Sequence, residues 1–165
     1  MTLDDIPAGA AVLLDANILI YARRGASIQC QRLLARCAAR EIRGFLTTIA
    51  VAEFCHRRMM QESQSLGLAG SKPAKALGQN PTLLGQLSQY RRDVEDLLAG
   101  ELTILPLEAA DLTLALDLQR QHHLLTNDSL HLAAAMRANL PAFATNDHCF
   151  DQVPAVTLYQ PDDVT

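Results

Sequence analysis

The chain has 165 residues, enough for one domain with its own core. Hydrophobic residues make up 49% and charged residues 19%, which excludes disorder as the global state. A formal net charge of −4 argues against gripping nucleic acid by bulk charge and leaves only a local basic patch for that purpose.

The first predicted element is a strand at Ala10–Leu14 in "AAVLLDANILIYA". An apolar run without alternation fits a strand covered on both faces of a parallel sheet, and Asp15 stops it. "SIQCQRLLARCAAREI" predicts a helix with Ser27 as N-cap and Ile28, Leu33, Leu34, Cys37, Ala38 and Ile42 on one stripe. "GFLTTIAV" predicts a second strand after Gly44, and "AVAEFCHRRMMQE" a helix. Residues 63–86 are rich in Gly, Ser, Ala and Pro and read as a variable loop or helical excursion. "TLLGQLSQYRRDVEDLLAG" predicts one helix stopped by Gly100 at C′. "LTILPL" predicts a third strand. "EAADLTLALDLQRQHH" predicts a helix with Glu108 and Asp111 in its first turn, where negative charge is favoured. A helix over "DSLHLAAAMRANL" and strands at "AFAT" and "AVTLY" complete the chain. Alternating strands and helices predict an α/β fold with a central parallel sheet flanked by helices, in a single domain over residues 1–165.

In such a sheet, functional side chains stand beyond the carboxyl ends of the strands. Asp15 follows the first strand and Asp147 follows "AFAT". Glu53 lies in the early turns of the helix after the second strand, and Asp128 opens the helix after "HHLLT". Singly, each acid has an ordinary role: Asp128 a helix-start residue capped by Thr126 or Asn127, Asp147 a turn residue, Glu53 a solvated helix residue. Together on one edge they repel unless a cation stands between them. Mg2+ or Mn2+, with oxygen ligands and retained waters, is the cation that pattern fits. The two Thr-Asn-Asp stretches, 126–128 and 145–147, are then two walls of one site and not a repeat.

The motifs carry a resemblance. "LLDANILIYA", "TTIAVAEFCHR", "LTNDSLHLAAAMR" and "FATNDHCFDQVPAVTLYQP", in that order, resemble the four motifs of PIN-domain ribonucleases, above all VapC-type toxins of bacterial toxin–antitoxin pairs. The resemblance implies a PIN-like three-layer fold and a metal-dependent endoribonuclease. It implies an acidic quartet of Asp15, Glu53, Asp128 and Asp147, with Asn17 and Thr145 orienting the carboxylates or the attacking water. It also implies an RNA substrate, an antitoxin partner and a homodimer, with "LLARCAAR" and "EFCHRRMM" as candidate interface segments. The first motif departs from the family in having Ala16 where Thr or Ser is common, which removes one hydrogen bond but no ligand. Asp151 is a further acid near the fourth motif, expected to act at most through water because Phe150 turns inward between it and Asp147. Arg23, Arg24, Arg57 and Arg58 follow the first two motifs and are read as RNA or antitoxin contacts, or as solvated charge.

Other features carry less. His56, His122, His123, His131 and His148 have no metal-binding spacing, and His131 reads as a packed helix residue beside the site. Cys30, Cys37, Cys55 and Cys149 form no C-x-x-C pair and read as thiols in a reducing compartment. Neither an export signal nor a membrane-length apolar run is present, so a cytoplasmic location without membrane contact is expected. A phosphatase using Asp15 as nucleophile calls for a second Asp at position 17, where Asn stands; a receiver domain calls for an acidic pair and a late lysine. The non-enzymatic alternative is a PIN-like binding module without turnover.

Overall fold

The computed structural model describes residues 1–68 and 73–164. Its centre is a five-stranded, all-parallel sheet in the order β3-β2-β1-β4-β5, formed by β1 Ala11–Leu14, β2 Arg43–Thr47, β3 Thr103–Leu105, β4 Ala142–Ala144 and β5 Thr157–Tyr159. Side chains alternate across it. Val12 and Leu14 enter one apolar cluster, while Leu13 and Phe143 enter the other, and all four are 0% exposed. That explains why "AVLL" is apolar without alternating: both faces are covered.

One face is covered by α1 Ala16–Arg24, α2 Ile28–Ala38 and α3 Thr48–Ser65, whose Leu19, Leu33 and Phe54 share a cluster with Val12 and Leu14. The other is covered by α7 Ala109–His122 and α8 Thr126–Arg137, through Ala115, Leu118, Leu130 and Leu132. The layers are helix, sheet, helix, as a PIN-like α/β fold requires.

Local chemistry sets the boundaries. Ser27 caps α2 as expected, its hydroxyl accepting the Cys30 N–H at 3.0 Å. Ile28 nevertheless leaves the expected stripe and is 56% exposed, and Ile42 is buried only after the helix has ended. The second strand is shorter than predicted. Thr47 ends β2 and accepts the Ala50 N–H at 3.1 Å, so "TIAV" becomes the first turn of α3. Gly44 lies inside β2 because a Cβ there would stand 2.4 Å from a Leu102 methyl and 2.9 Å from Cys37 Sγ.

The predicted helix over residues 82–100 is broken. A short α5 (Pro81–Leu84) ends at Gly85, and α6 (Gln89–Ala99) starts afresh. The cause is Glu62 at the end of α3. Its carboxylate accepts the backbone N–H groups of Ser88, Gln89 and Tyr90 at 2.8, 2.9 and 2.8 Å, anchoring a new helix N-terminus. Gly100 follows α6 as expected, but with extended backbone (φ −81°, ψ −172°) and not as a left-handed cap. Within the excursion, α4 Pro73–Gln79 forms, and residues 69–72 lie outside the described residues. Among the described residues, no helix is long and apolar enough to cross a membrane.

In the segments proposed as interfaces only Leu33, Cys37 and Phe54 are buried, and the other residues are half-buried or exposed. Leu33 is 1%, Cys37 3% and Phe54 4% exposed. Large exposed apolar side chains include Leu112 and Leu116 of α7, 56% and 62% exposed.

Candidate metal centre

The strand order reverses between β1 and β4, so a crevice opens beyond their carboxyl ends. Asp15 leaves β1 into it. Its N–H extends the ladder to Ala144 O at 2.9 Å, and the residue is the N-cap of α1 with no side-chain capping bond. Its carboxylate is thus directed into the crevice, where Oδ2 accepts from Asn17 Nδ2 at 2.6 Å and from Thr145 Oγ1 at 2.7 Å. Asn17 also donates to Thr145 Oγ1 at 3.2 Å, and its Oδ1 accepts the Asn146 N–H at 3.3 Å. These bonds lock the first and fourth motifs together across about 130 residues of sequence separation.

The quartet is gathered as two neighbouring groups with no member in common. Ligand atoms of Asp15, Glu53 and His131 lie within 4.8 Å of one another, as do those of Asp128, Asp147 and Cys149. The groups feel each other. Burial raises the Asp15 carboxyl above its ordinary range, with Glu53 adding to the rise and the Thr145 hydrogen bond opposing it. Burial also raises Asp128, and the charges of Asp147 and Asp15 push it the same way. Burial lowers His131, against the pull of the three acids around it.

Asp128 sits in the first turn of α8, but the N-cap is Leu125 (φ −73°, ψ 170°), with no side-chain cap from Thr126 or Asn127. The helix begins one residue earlier than a Thr126 cap requires and two earlier than an Asn127 cap requires, so both are already inside it. Asp147 has a dual position. One oxygen caps a 3-10 turn, accepting the Cys149 N–H at 2.9 Å, while its own N–H is held by Thr145 Oγ1 at 3.0 Å. Phe150 turns inward, 1% exposed, with its ring edge-on to Phe143 at 4.8 Å. Beyond it Asp151 lies in neither group, bonding His148 Nδ1 at 3.1 Å and accepting from Gln160 Nε2 at 3.2 Å.

The four arginines divide. Arg23 and Arg58 both grip the buried Asp93 of α6, with Arg58 Nε at 2.7 Å. Arg57 pairs with Glu53 one turn away at 2.9 Å. Arg24 has no ion-pair partner among the described residues and shares a polar surface recess with Arg58, Gln61 and Gln64. Sequence reading missed Asp93 because its partners come from α1 and α3, 70 and 35 residues away. It also underrated His131, whose second neighbour, Thr47, is 84 residues distant.

The donor set fits a hard or borderline divalent cation. Among the described residues, Asp15, Asp128 and Asp147 have no Lys or Arg partner, so their mutual repulsion has no internal counter-charge. Two acidic groups, Asp15 with Glu53 and Asp128 with Asp147, thus stand by the sheet's switch point, with Asn17 and Thr145 holding Asp15.

The PIN domain family model matches residues 12–156, which include all four carboxylates. The chain belongs to the PIN domain family. Among solved structures it is similar to a toxin–antitoxin complex from Klebsiella pneumoniae, at 17% identity and a TM-score of 0.59 over 88% of this chain and 95% of that one. It is also similar to VapBC2 from Rickettsia felis bound to a DNA fragment from its promoter, at 17% identity and a TM-score of 0.58 over 92% and 99% of the two chains. At these identities the likeness is one of fold. No curated protein matches the sequence.

Proposed function

We propose that this chain is the toxin of a type II toxin–antitoxin pair: a single-domain, divalent-metal-dependent endoribonuclease that hydrolyses RNA phosphodiester bonds in the cytoplasm. The observation that carries the reading is the convergence of Asp15, Glu53, Asp128 and Asp147 on one sheet edge, with three of them lacking a basic partner. The family membership and the two structural relatives, both toxin–antitoxin complexes, support it.

The four carboxylates would hold Mg2+ or Mn2+. When bound, the cation supplies Lewis acidity to water and to the scissile phosphate. Asn17 and Thr145 keep Asp15 in one orientation and so fix where the phosphate can sit. Thr145 also holds the backbone of Asp147, so one hydroxyl sets two of the acids. A carboxylate of the group accepts the proton of the attacking water. The open crevice admits single-stranded or looped RNA more readily than a duplex interior. Arg24 is free to meet a phosphate or an antitoxin side chain. A cognate antitoxin would inhibit by placing positive charge among the acids, and the active species would be a homodimer.

The test is cleavage of a mixed RNA pool with Mg2+ or Mn2+, repeated in excess chelator and beside a small phosphomonoester. Metal-dependent RNA cleavage without phosphomonoester turnover supports the reading. RNA binding without cleavage at saturating metal would establish the non-catalytic binding module, and phosphomonoester turnover the phosphatase.

A further inference from the structure

His131 lies in α8 one turn after Asp128 and is 2% exposed. Its Nδ1 meets Thr47 Oγ1 at 2.8 Å, and an imidazole nitrogen lies within 4.8 Å of carboxylate oxygens of both Asp15 and Glu53. A buried imidazole has few uses. Filling apolar space is not the use here, because two acids and a hydroxyl surround it. Donating to a carboxylate is not the use either: among the described residues His131 makes no hydrogen bond to Asp15 or Glu53, and Asp15 Oδ2 is already taken by Asn17 and Thr145. Nε2 has no hydrogen-bond partner among the described residues, and since no fully buried side-chain nitrogen there is left unpaired, it is the ring atom open to the crevice.

The remaining use is that of a lone-pair donor. A metal-ligating histidine characteristically donates its other ring N–H to a fixed acceptor, which sets the tautomer and the ring orientation. Thr47 is such an acceptor. It is 0% exposed, ends β2 and is pinned by the Ala50 N–H at 3.1 Å. The helix it caps carries Glu53, so Thr47 positions two members of the group at once.

We propose that His131 is a metal ligand, forming with Asp15 and Glu53 a mixed nitrogen–oxygen site that selects transition divalent cations such as Mn2+ over Mg2+ and Ca2+. All-carboxylate sites suit Mg2+ and Ca2+, whereas an imidazole adds affinity for the transition series. The inference rests on the reading of the acidic group as a metal centre, and it names the donor that sets which metal is held.

The test uses untagged, metal-free protein and Mn2+ alone, read by electron spin-echo envelope modulation, which detects nitrogen directly bound to the ion. In wild type, one Mn2+ should bind with imidazole nitrogen coupling. Replacing His56, His122 and His148 by Gln and His123 by Asn leaves His131 as the sole imidazole; Asn suits position 123 because its φ is +56°. The coupling should persist there and vanish in His131→Gln, with Mn2+ affinity falling by about tenfold or more and Mg2+ affinity changing far less. Should His131→Gln fail to fold, the sole-histidine variant decides alone. Mn2+ bound there without nitrogen coupling overturns the assignment of His131 and leaves the acidic metal centre standing. Absence of Mn2+ binding by wild type overturns the metal centre itself.

Discussion

Two carboxylates in this molecule, the buried Asp93 and the half-buried Asp15, are treated in opposite ways. Asp93, 4% exposed, is met by Arg23, Arg58 and Gln89, and although burial works to raise its pKa, these partners hold it below the ordinary carboxylate range. Asp15 is given only a hydroxyl and an amide, and burial raises it. Asp111 repeats the first pattern with Arg137, at 2.8 and 2.9 Å. The protein therefore neutralises a buried acid with arginine where the acid ties helices together. At the crevice it withholds that charge from Asp15, Asp128 and Asp147, leaving room for a cation from solution.

The largest expected break in this contrast is catalytic. Asp147→Asn should reduce single-turnover RNA cleavage by more than about a thousandfold, roughly 4 kcal/mol of transition-state stabilisation, whereas Asp151→Asn should keep readily measurable turnover. Equal loss in both across a metal titration would place Asp151 on the metal and overturn the division drawn at Phe150. The next effect concerns the structural acid. Asp93→Ala leaves Arg58, with a side chain only 15% exposed, facing Arg23 without an anion, and should destabilise the fold by roughly 3 kcal/mol in denaturant melts while leaving metal affinity intact.

A smaller change of opposite sign sharpens the comparison. The folded pKa of Asp15 is raised, so its stabilising contribution is full below its unfolded value of 3.8 and is lost as pH rises through the folded value. Asp15→Asn should therefore raise the melting temperature of metal-free protein, by about 2–4 °C for each 1 kcal/mol relieved, and should abolish the further rise that metal gives wild type. A lower melting temperature in the variant would show that the acids do not repel. The smallest effect is acidic. Asp111 has a depressed pKa, owing first to its Arg137 hydrogen bond, so its contribution is full above the unfolded 3.8 and is lost as pH falls through the folded value. The stability gap between wild type and Asp111→Asn should be flat near neutrality and close as the solution is taken below 3.8.

What could be read from the sequence was the part written locally. "AVLL" bounded by an acid, the Ser27 cap and the inward Phe150 each depend on neighbours a few residues away, and the order of four short motifs was enough for the fold. The helix break at Gly85–Ser88 was not legible, because the carboxylate that restarts the helix belongs to Glu62, 26 residues earlier. His131 looked like an ordinary packed histidine because its setting is made by Thr47, Asp15 and Glu53 from three other elements. Likewise Arg23 and Arg58 look solvated in sequence, and only the approach of α6 gives them an acid to hold.

Glu62 has one more consequence. By gathering the amides of Ser88, Gln89 and Tyr90 it brings the two ends of the 66–87 segment together at a single side chain. A segment whose ends are already joined can change length cheaply, since doubling it adds only about 0.6 kcal/mol of closure entropy. To an engineer that makes the segment a socket: a tag, a fluorophore or a whole guest domain set between α3 and α6 would hang from one carboxylate clasp, and Glu62→Gln would be the way to loosen it.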